Sequence, residues 1–266
     1  MRLEGKTAIV IGAGQSPGEG MGNGRATVLR FAQEGAKTIA VDRNLPSAEE
    51  TASMVKQAGG ECIALEADVT KESTLAAAII EARKRWGGID ILHYNVGISI
   101  AGGDARLVDF TEEAFDRISA VNLRGAIMAC KHVIPIMRQQ HAGSIIMISS
   151  LAALENYPFV AYKATKAALI AFTQQVAIQN AEYGIRANAI LPGLIDTPMA
   201  VDTRARVSGK SRAAVAAERD ARVPLRRKMG TAWDVANAAL FLASDEANFI
   251  TGVALLVDGG GALNIG

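Results

Sequence analysis

The stretch Thr7-Ala-Ile-Val-Ile-Gly-Ala-Gly-Gln-Ser-Pro-Gly-Glu-Gly-Met-Gly-Asn-Gly-Arg25 decides the reading of the fold. Thr7 to Ile11 form a short β-branched run with no charged residue, as expected of a strand buried on both faces. A glycine-dense turn follows, and a helical pattern opens at Arg25 and runs to about Glu34. Glycine lets backbone amides approach a phosphate closely, and a helix start adds partial positive charge, so the turn reads as a pyrophosphate cradle. A glycine pattern alone carries little. Standing between a strand and a helix, it indicates a nucleotide-binding βα unit.

Outward from that unit the same rhythm repeats. Strand candidates fall at residues 38–41, 62–65, 89–92, 144–148, 186–190 and 253–257, and helix candidates at 47–57, 71–86, 112–138, 162–182 and 232–243. Their alternation predicts an α/β fold, a doubly wound parallel sheet of Rossmann type with about seven strands and helices on both faces. The length of 266 residues sits just above the range of one hydrophobic core, and no repeat, low-complexity tract or Pro/Ser-rich linker divides the chain. Residues 1–266 therefore read as a single domain. The one shift in composition is the charged stretch 202–228; the segment 199–228 reads as a lid over a substrate pocket.

Composition excludes several classes. Lys and Arg number 28 against 27 Asp and Glu, a net charge of +1, so neither nucleic acid nor an anionic membrane is an expected partner. Cys62 and Cys130 lack metal or redox spacing, and His93, His132 and His141 lack ligand spacing, so no metal site is expected. No apolar run reaches the roughly 18 residues of a membrane span, and no signal-peptide pattern precedes the first strand, which points to the cytoplasm.

Two ends of a site can be placed on this scaffold. The second strand ends in Val41-Asp42-Arg43, where doubly wound domains set an acidic residue against the adenosine ribose. Asp42 favours NAD over NADP, because a 2′-phosphate beside a carboxylate is repelled; Arg43 is the rival, offering that phosphate a guanidinium. Asp68 reads either as a partner for the adenine amino group or as a helix cap. At the other end, Tyr162 and Lys166 are four residues apart on one helix face, and a neighbouring ammonium would lower the phenol's pKa. Ile148-Ser149-Ser150 puts a hydroxyl at the edge of the sheet where open α/β folds bind ligands.

Taken together, the chain resembles the short-chain dehydrogenase/reductase family. The resemblance runs along the whole chain through the glycine loop, Asp68-Val69, Asn95-Val-Gly97, Val121-Asn122-Leu123, Ile148-Ser149-Ser150, Tyr162-xxx-Lys166, Pro192-Gly193 with Thr197, and Thr251-Gly252 with Val257-Asp-Gly-Gly260. It implies a hydride exchange between NAD and a secondary alcohol or ketone, with an NADPH-preferring ketoacyl-type reductase as the alternative. Tyr162 would be the acid/base. Lys166 would bind the nicotinamide ribose and lower the tyrosine pKa, Ser150 would orient the substrate oxygen, and Asn122 would complete a proton relay through water. The implied cofactor contacts are Gly12, Gly22, Gly24, Asp42, Asp68, Val69, Asn95, Gly97, Tyr162, Lys166, Pro192, Gly193 and Thr197.

Three departures from the family pattern stand out. About six residues are inserted after Gly12, so residues 15–21 form an extra flap; the divergent enoyl reductases share such a lengthening, but not this Tyr–Lys spacing. Tyr94 replaces an asparagine before Asn95, which implies tighter packing. The segment from Ser150 to Tyr162 is one residue short, so Ser149 stays a candidate beside Ser150. Residues 99–106, 151–159 and 199–228 are expected to line the pocket for a small-molecule substrate. Nine basic residues in 199–228 suggest either an anionic substrate or merely a solvated helical face. Ala164, Ala167, Ala168 and Ala171 on the tyrosine helix suggest a homotetramer or, alternatively, a close contact inside the chain. A non-catalytic nucleotide sensor and an NAD-retaining isomerase or dehydratase are the other readings; the intact Tyr162, Lys166, Ser150 and Asn122 argue against the first, and the lack of a large C-terminal substrate domain against the second.

Overall fold

The protein is described here by a computed structural model covering residues 1–263. Among these, β1 (Thr7–Ile11), β2 (Lys37–Asp42), β3 (Cys62–Glu66), β4 (Ile91–Tyr94), β5 (Gly143–Ile148) and β6 (Ile185–Pro192) are followed by two short strands, β7 (Ile195–Asp196) and β8 (Gly230–Thr231), and by β9 (Ala254–Val257). Seven of them make one sheet in the order β3-β2-β1-β4-β5-β6-β9, with every neighbouring pair parallel. The winding reverses between β1 and β4, and a crevice opens there at the carboxyl ends of the strands. The two short strands pair only with each other.

The helices are α1 (Asn23–Gln33), α2 (Leu45–Gln57), α3 (Glu72–Trp86), α4 (Glu112–Ser119), α5 (Gly125–Gln140), α6 (Val160–Asn180), α7 (Thr203–Ser208), α8 (Arg212–Asp220) and α9 (Ala232–Ala243). Side-chain alternation along the strands sorts them into two layers. Ile9, Ile11, Ile39 and Val41 pack towards α3, α5 and α6, whereas Ala8, Val10 and Ala40 pack towards α1, α2 and α9. The alanines on the second face let α1 lie close to β1, which brings the helix start to the strand end.

Two sequence expectations are corrected. The helical pattern at 112–138 is not one α-helix: α4 and α5 are joined by a π-helical turn, Ala120–Arg124. Tyr94 is the reason this turn is held. Fully buried, it donates its hydroxyl to the Val121 carbonyl at 2.7 Å, and a Cβ on Gly125 would strike that hydroxyl. The strand expected at 89–92 begins two residues later. Gln140 takes both backbone groups of Ile89, at 2.9 and 3.0 Å, and so keeps that residue out of the ladder. The charged stretch before α9 is folded, with α7 and α8 closing over a small core of Val201, Ala205, Val215, Val223 and Met229. Among the described residues no helix is long and apolar enough to cross a membrane, and no group of three or more His, Cys, Asp or Glu could hold a metal ion.

His93 of β4 is fully buried, edge-on to Phe31, and neither ring nitrogen has a hydrogen-bond partner. Burial pushes its pKa down from 6.5 to about 3. The unfolded chain therefore takes up a proton in that window that the folded chain refuses, so this contribution to stability is complete above 6.5 and is lost as pH falls towards 3. Urea midpoints measured from about pH 7 to about pH 4 should fall less steeply for His93→Leu than for the wild type. Equal slopes would mean that the ring is protonated in the folded state.

Candidate active site

The cleft begins where β1 meets α1. Gly12 has a left-handed φ of +85°, and the first turn of α1 lies so close that a Cβ on Gly24 would run into the Gly12 carbonyl and come within 2.8 Å of the Asn95 amide. Asn95 Nδ2 donates to the same carbonyl at 3.1 Å, which ties β4 to the turn. Gly14, which the sequence reading passed over, is pressed against Asp42: its N–H donates to Oδ2 at 2.9 Å, and a Cβ would sit 2.8 Å from the carboxylate. Gly22 caps α1 and lines the cleft but has room for a side chain, its nearest neighbour lying 3.7 Å from a Cβ. The tight glycines are thus Gly12, Gly14 and Gly24. The Gly-x-Gly spacing straight after the strand was the available signal.

The inserted flap is an ordered loop joined to the lid. Gln15 closes it by accepting from the Gly22 N–H at 2.9 Å and donating to the Gly20 carbonyl at 3.1 Å. Across the cleft mouth, the Glu19 N–H donates to Asp202 at 3.2 Å and Arg206 donates to the Pro17 carbonyl at 3.2 Å. Arg212 anchors the lid side through Asp196 at 2.6 Å and Asp202 at 3.3 Å.

All thirteen residues assigned to the cofactor line one cleft of about 490 Å³, within the size range of small-molecule and cofactor sites. One end holds Asp42, Arg43, Asp68 and Val69; the other holds Tyr162, Lys166, Pro192, Gly193 and Thr197. Asp42 also accepts from the Asn44 N–H at 3.0 Å, so its carboxylate is fixed by backbone groups on both sides. Asp68 is not the cap of α3, a place taken by Lys71. Burial would raise its pKa, but the bonds it accepts from the Thr70 hydroxyl and N–H, at 2.7 and 3.0 Å, outweigh this and keep it below the ordinary range.

At the chemical end Ser149 and Ser150 separate clearly. Ser149 is buried and donates to the Lys166 carbonyl at 2.7 Å, which commits it to holding α6. Both serines line the cleft, but the Ser150 Oγ only accepts from the Ala152 N–H at 3.2 Å, so its proton is not committed to the backbone and its hydroxyl stands near enough to Tyr162 to favour phenolate. Lys166 is buried, its ammonium donating to the Ile148 carbonyl at 2.7 Å and lying 5.7 Å from the Tyr162 ring centre. Burial lowers its pKa to about 7. Burial pushes Tyr162 up to about 12, against the opposing pull of the Ser150 hydroxyl and the charge of Arg204.

Asn122 is the one assigned residue outside the cleft. Its amide is spent on the Ile98 N–H and carbonyl, at 2.8 and 3.0 Å, and on Thr165 Oγ1 at 3.1 Å. Its side chain therefore braces the wall beside α6 and does not face the cleft directly. Two further groups fall in the segments 99–106 and 151–159 that were expected to line the pocket, but their individual contacts were not legible in the sequence. Asp104 is buried and accepts from the N–H groups of Ala161 and Tyr162, both at 3.0 Å, supplying from a distance the cap that α6 lacks locally. Tyr157 tilts against Tyr162, with ring centres 5.5 Å apart, and its hydroxyl lies 3.3 Å from Ser99 Oγ.

Comparisons with known proteins identify the family. A family profile described as enoyl-(acyl carrier protein) reductase matches residues 18–262. The 2-(R)-hydroxypropyl-CoM dehydrogenase of Xanthobacter autotrophicus is 37% identical over 260 residues, 96% of this chain and 97% of that protein. A 3-oxoacyl-(acyl-carrier-protein) reductase of Thermotoga maritima is 37% identical over 266 residues, 98% and 99% of the two chains. Among solved structures, a Burkholderia xenovorans protein described as a short-chain dehydrogenase/reductase superposes with a TM-score of 0.93 at 40% identity, covering 100% of this chain and 99% of that one. Levodione reductase gives 0.92 at 30% identity, covering 99% and 100%. The chain belongs to the short-chain dehydrogenase/reductase family. As a member it is an oxidoreductase of alcohol- or ketone-type substrates that uses a nicotinamide dinucleotide.

The glycine geometry makes a direct prediction for cofactor titrations followed by NADH fluorescence. Gly14→Ala should weaken binding by about tenfold or more, since the new methyl meets a carboxylate held by backbone bonds, while Gly22→Ala should stay within about twofold. The reverse order would return the cradle to Gly22.

Proposed function

We propose that this protein is an NAD-dependent dehydrogenase interconverting a secondary alcohol and its ketone, with Tyr162 as acid/base, Ser150 orienting the substrate oxygen and Lys166 holding the nicotinamide ribose. The observation that carries this reading is a single continuous cleft with the Asp42 carboxylate at one end and the Ser150–Tyr162 hydroxyl pair at the other. The residues fit a dinucleotide: Gly12, Gly14 and Gly24 clear the backbone for a pyrophosphate, and Asp42 offers a fixed acceptor to ribose hydroxyls. When bound, the dinucleotide supplies the hydride acceptor for oxidation and the donor for reduction.

The chain's own groups handle the proton. In ketone reduction Tyr162 Oη gives its proton to the developing alkoxide while Ser150 donates a second hydrogen bond to that oxygen. In oxidation the same Oη takes the hydroxyl proton, which requires phenolate. With Tyr162 pushed up to about 12, phenol is the abundant form near neutrality and phenolate grows as pH rises. Asp42 and the NAD preference favour oxidation as the physiological direction. Arg43, exposed in the cleft beside Asp42, favours the second reading, an NADPH-preferring ketoacyl-type reductase.

A homotetramer in the cytoplasm completes the proposal. Ala164, Ala167 and Ala171 are exposed on α6 and Ala168 is half-buried, which supports a face open to a second copy over a close contact inside the chain. Sedimentation analysis tests the assembly.

A screen of secondary alcohols followed by NADH absorbance tests the activity. Tyr162→Phe should lower turnover by about a hundredfold or more while NAD still binds, and Asp42→Ala should weaken NAD more than NADP. Nearly normal turnover in Tyr162→Phe would remove the acid/base assignment. For the wild type, kcat/KM of alcohol oxidation should climb from about pH 7 to about pH 10, with ketone reduction showing no such rise.

A further inference from the structure

The basic residues of the lid divide sharply in the folded chain. Of the nine in 199–228, only Arg204 and Arg219 line the cleft. The others behave as a solvated face or are paired there, as Arg212 is with Asp196 and Asp202, Lys210 with Glu218, and Lys228 with Asp220.

Arg219 differs from all of them. Only 8% of it is exposed, and it lines the cleft wall near Tyr157. Among the described residues its guanidinium makes one hydrogen bond, from Nε to the Met229 thioether at 3.3 Å, which is a weak acceptor. Among the described residues its four Nη hydrogens have no partner and no carboxylate pairs with it. Asp196 attracts it but is already bonded to Arg212, and Asp220 is taken by Lys228 and the Met229 N–H. The positive charges of Arg204 and Arg222 add to the imbalance, and burial with their repulsion lowers Arg219 to about 10, still charged near neutrality. A buried charge without a counter-ion is expensive, and an arginine fork is the side chain best shaped for a planar oxyanion.

Arg204 completes the arrangement. It is half-buried, it spends one Nη on the Ala200 carbonyl at 2.9 Å, and its charge reaches Tyr162. Glu155 also lines the cleft, and among the described residues it forms no ion pair with either arginine. Asp104 is committed to the N-terminus of α6.

We propose that Arg219, assisted by Arg204, forms a subsite for an oxyanion on the substrate, so that the preferred alcohols and ketones carry a carboxylate or sulfonate beyond the reacting carbon. This deepens the dehydrogenase reading and rests on it for the identity of the reacting group, but the subsite itself has a readout that needs no turnover.

Two experiments on the full chain with NAD(H) test it. In the first, 4-oxopentanoate, its methyl ester and 4-oxopentanesulfonate are compared as substrates at low and high salt. The wild type should favour the two acids over the ester by about tenfold or more in kcat/KM, with the preference shrinking as salt rises. Arg219→Met should bring the acid-to-ester ratio close to one, Arg219→Lys should restore part of it, and the exposed Arg226→Met should leave it as in the wild type. In the second, thermal unfolding is followed with and without 4-oxopentanoate. The acid should raise the Tm of the wild type and not of Arg219→Met. An ester used as well as the acids, or equal Tm shifts in wild type and Arg219→Met, overturns the subsite while leaving Tyr162 in its role. Loss of NADH binding in Arg219→Met would also overturn it, by moving the arginine to the cofactor phosphates. If no ketone is reduced but the acid still stabilises only the wild type, the dehydrogenase reading fails and the oxyanion subsite stands.

Discussion

The contact between the Gly12 carbonyl and the first turn of α1 is the constraint on which the cleft depends. Only a glycine at position 24 allows α1 to start so close to the end of β1. From that approach follow the aim of the helix start into the crevice, the place of Asn95 on the same carbonyl, and the pressing of Gly14 onto Asp42. A larger residue at this seam would push α1 outward, with consequences for α9, which packs against it.

The chemical end solves a different problem, that of polar groups where water is scarce. Lys166, Asp104 and Asn122 are all buried, and each is satisfied chiefly by backbone groups of neighbouring loops or helices. Such bonds hold side chains in one orientation and make α6 a rigid carrier for Tyr162. Arg219 departs from this economy because protein atoms leave most of its donors without partners. A group of that kind is costly to stability and useful to recognition.

Between the two ends, flap and lid act as one cover. The inserted loop reaches α7 through Glu19, Pro17, Asp202 and Arg206 and α8 through the Arg212 bond to the Glu19 carbonyl, and no Cβ fits at Gly18 because Asp202 lies 2.5 Å from that position. The insertion that disturbs the family pattern in the glycine loop is therefore matched by the charged insertion near the other end of the chain. The lid residues that hold the flap are distinct from the two arginines that line the cleft.

The layer order, the parallel sheet and most element positions were legible in the sequence, because apolar periodicity reports burial wherever an element is regular. The Tyr162–Lys166 pair and Asp42 were legible too, since one helix turn or one strand end fixes their placement. Periodicity was blind to the π-helical turn at Ala120–Arg124, which Tyr94 holds through a hydrogen bond across 27 positions of chain. It was equally blind to Gly14 as the tight glycine, to the division of labour between Ser149 and Ser150, and to the direction in which burial moves the Tyr162 proton. Local sequence determined which segments became strands and helices. Only tertiary packing decided which polar atoms were spent on the backbone and which were left facing the cleft, because hydrogen-bond partners and desolvation come from residues that are distant along the chain.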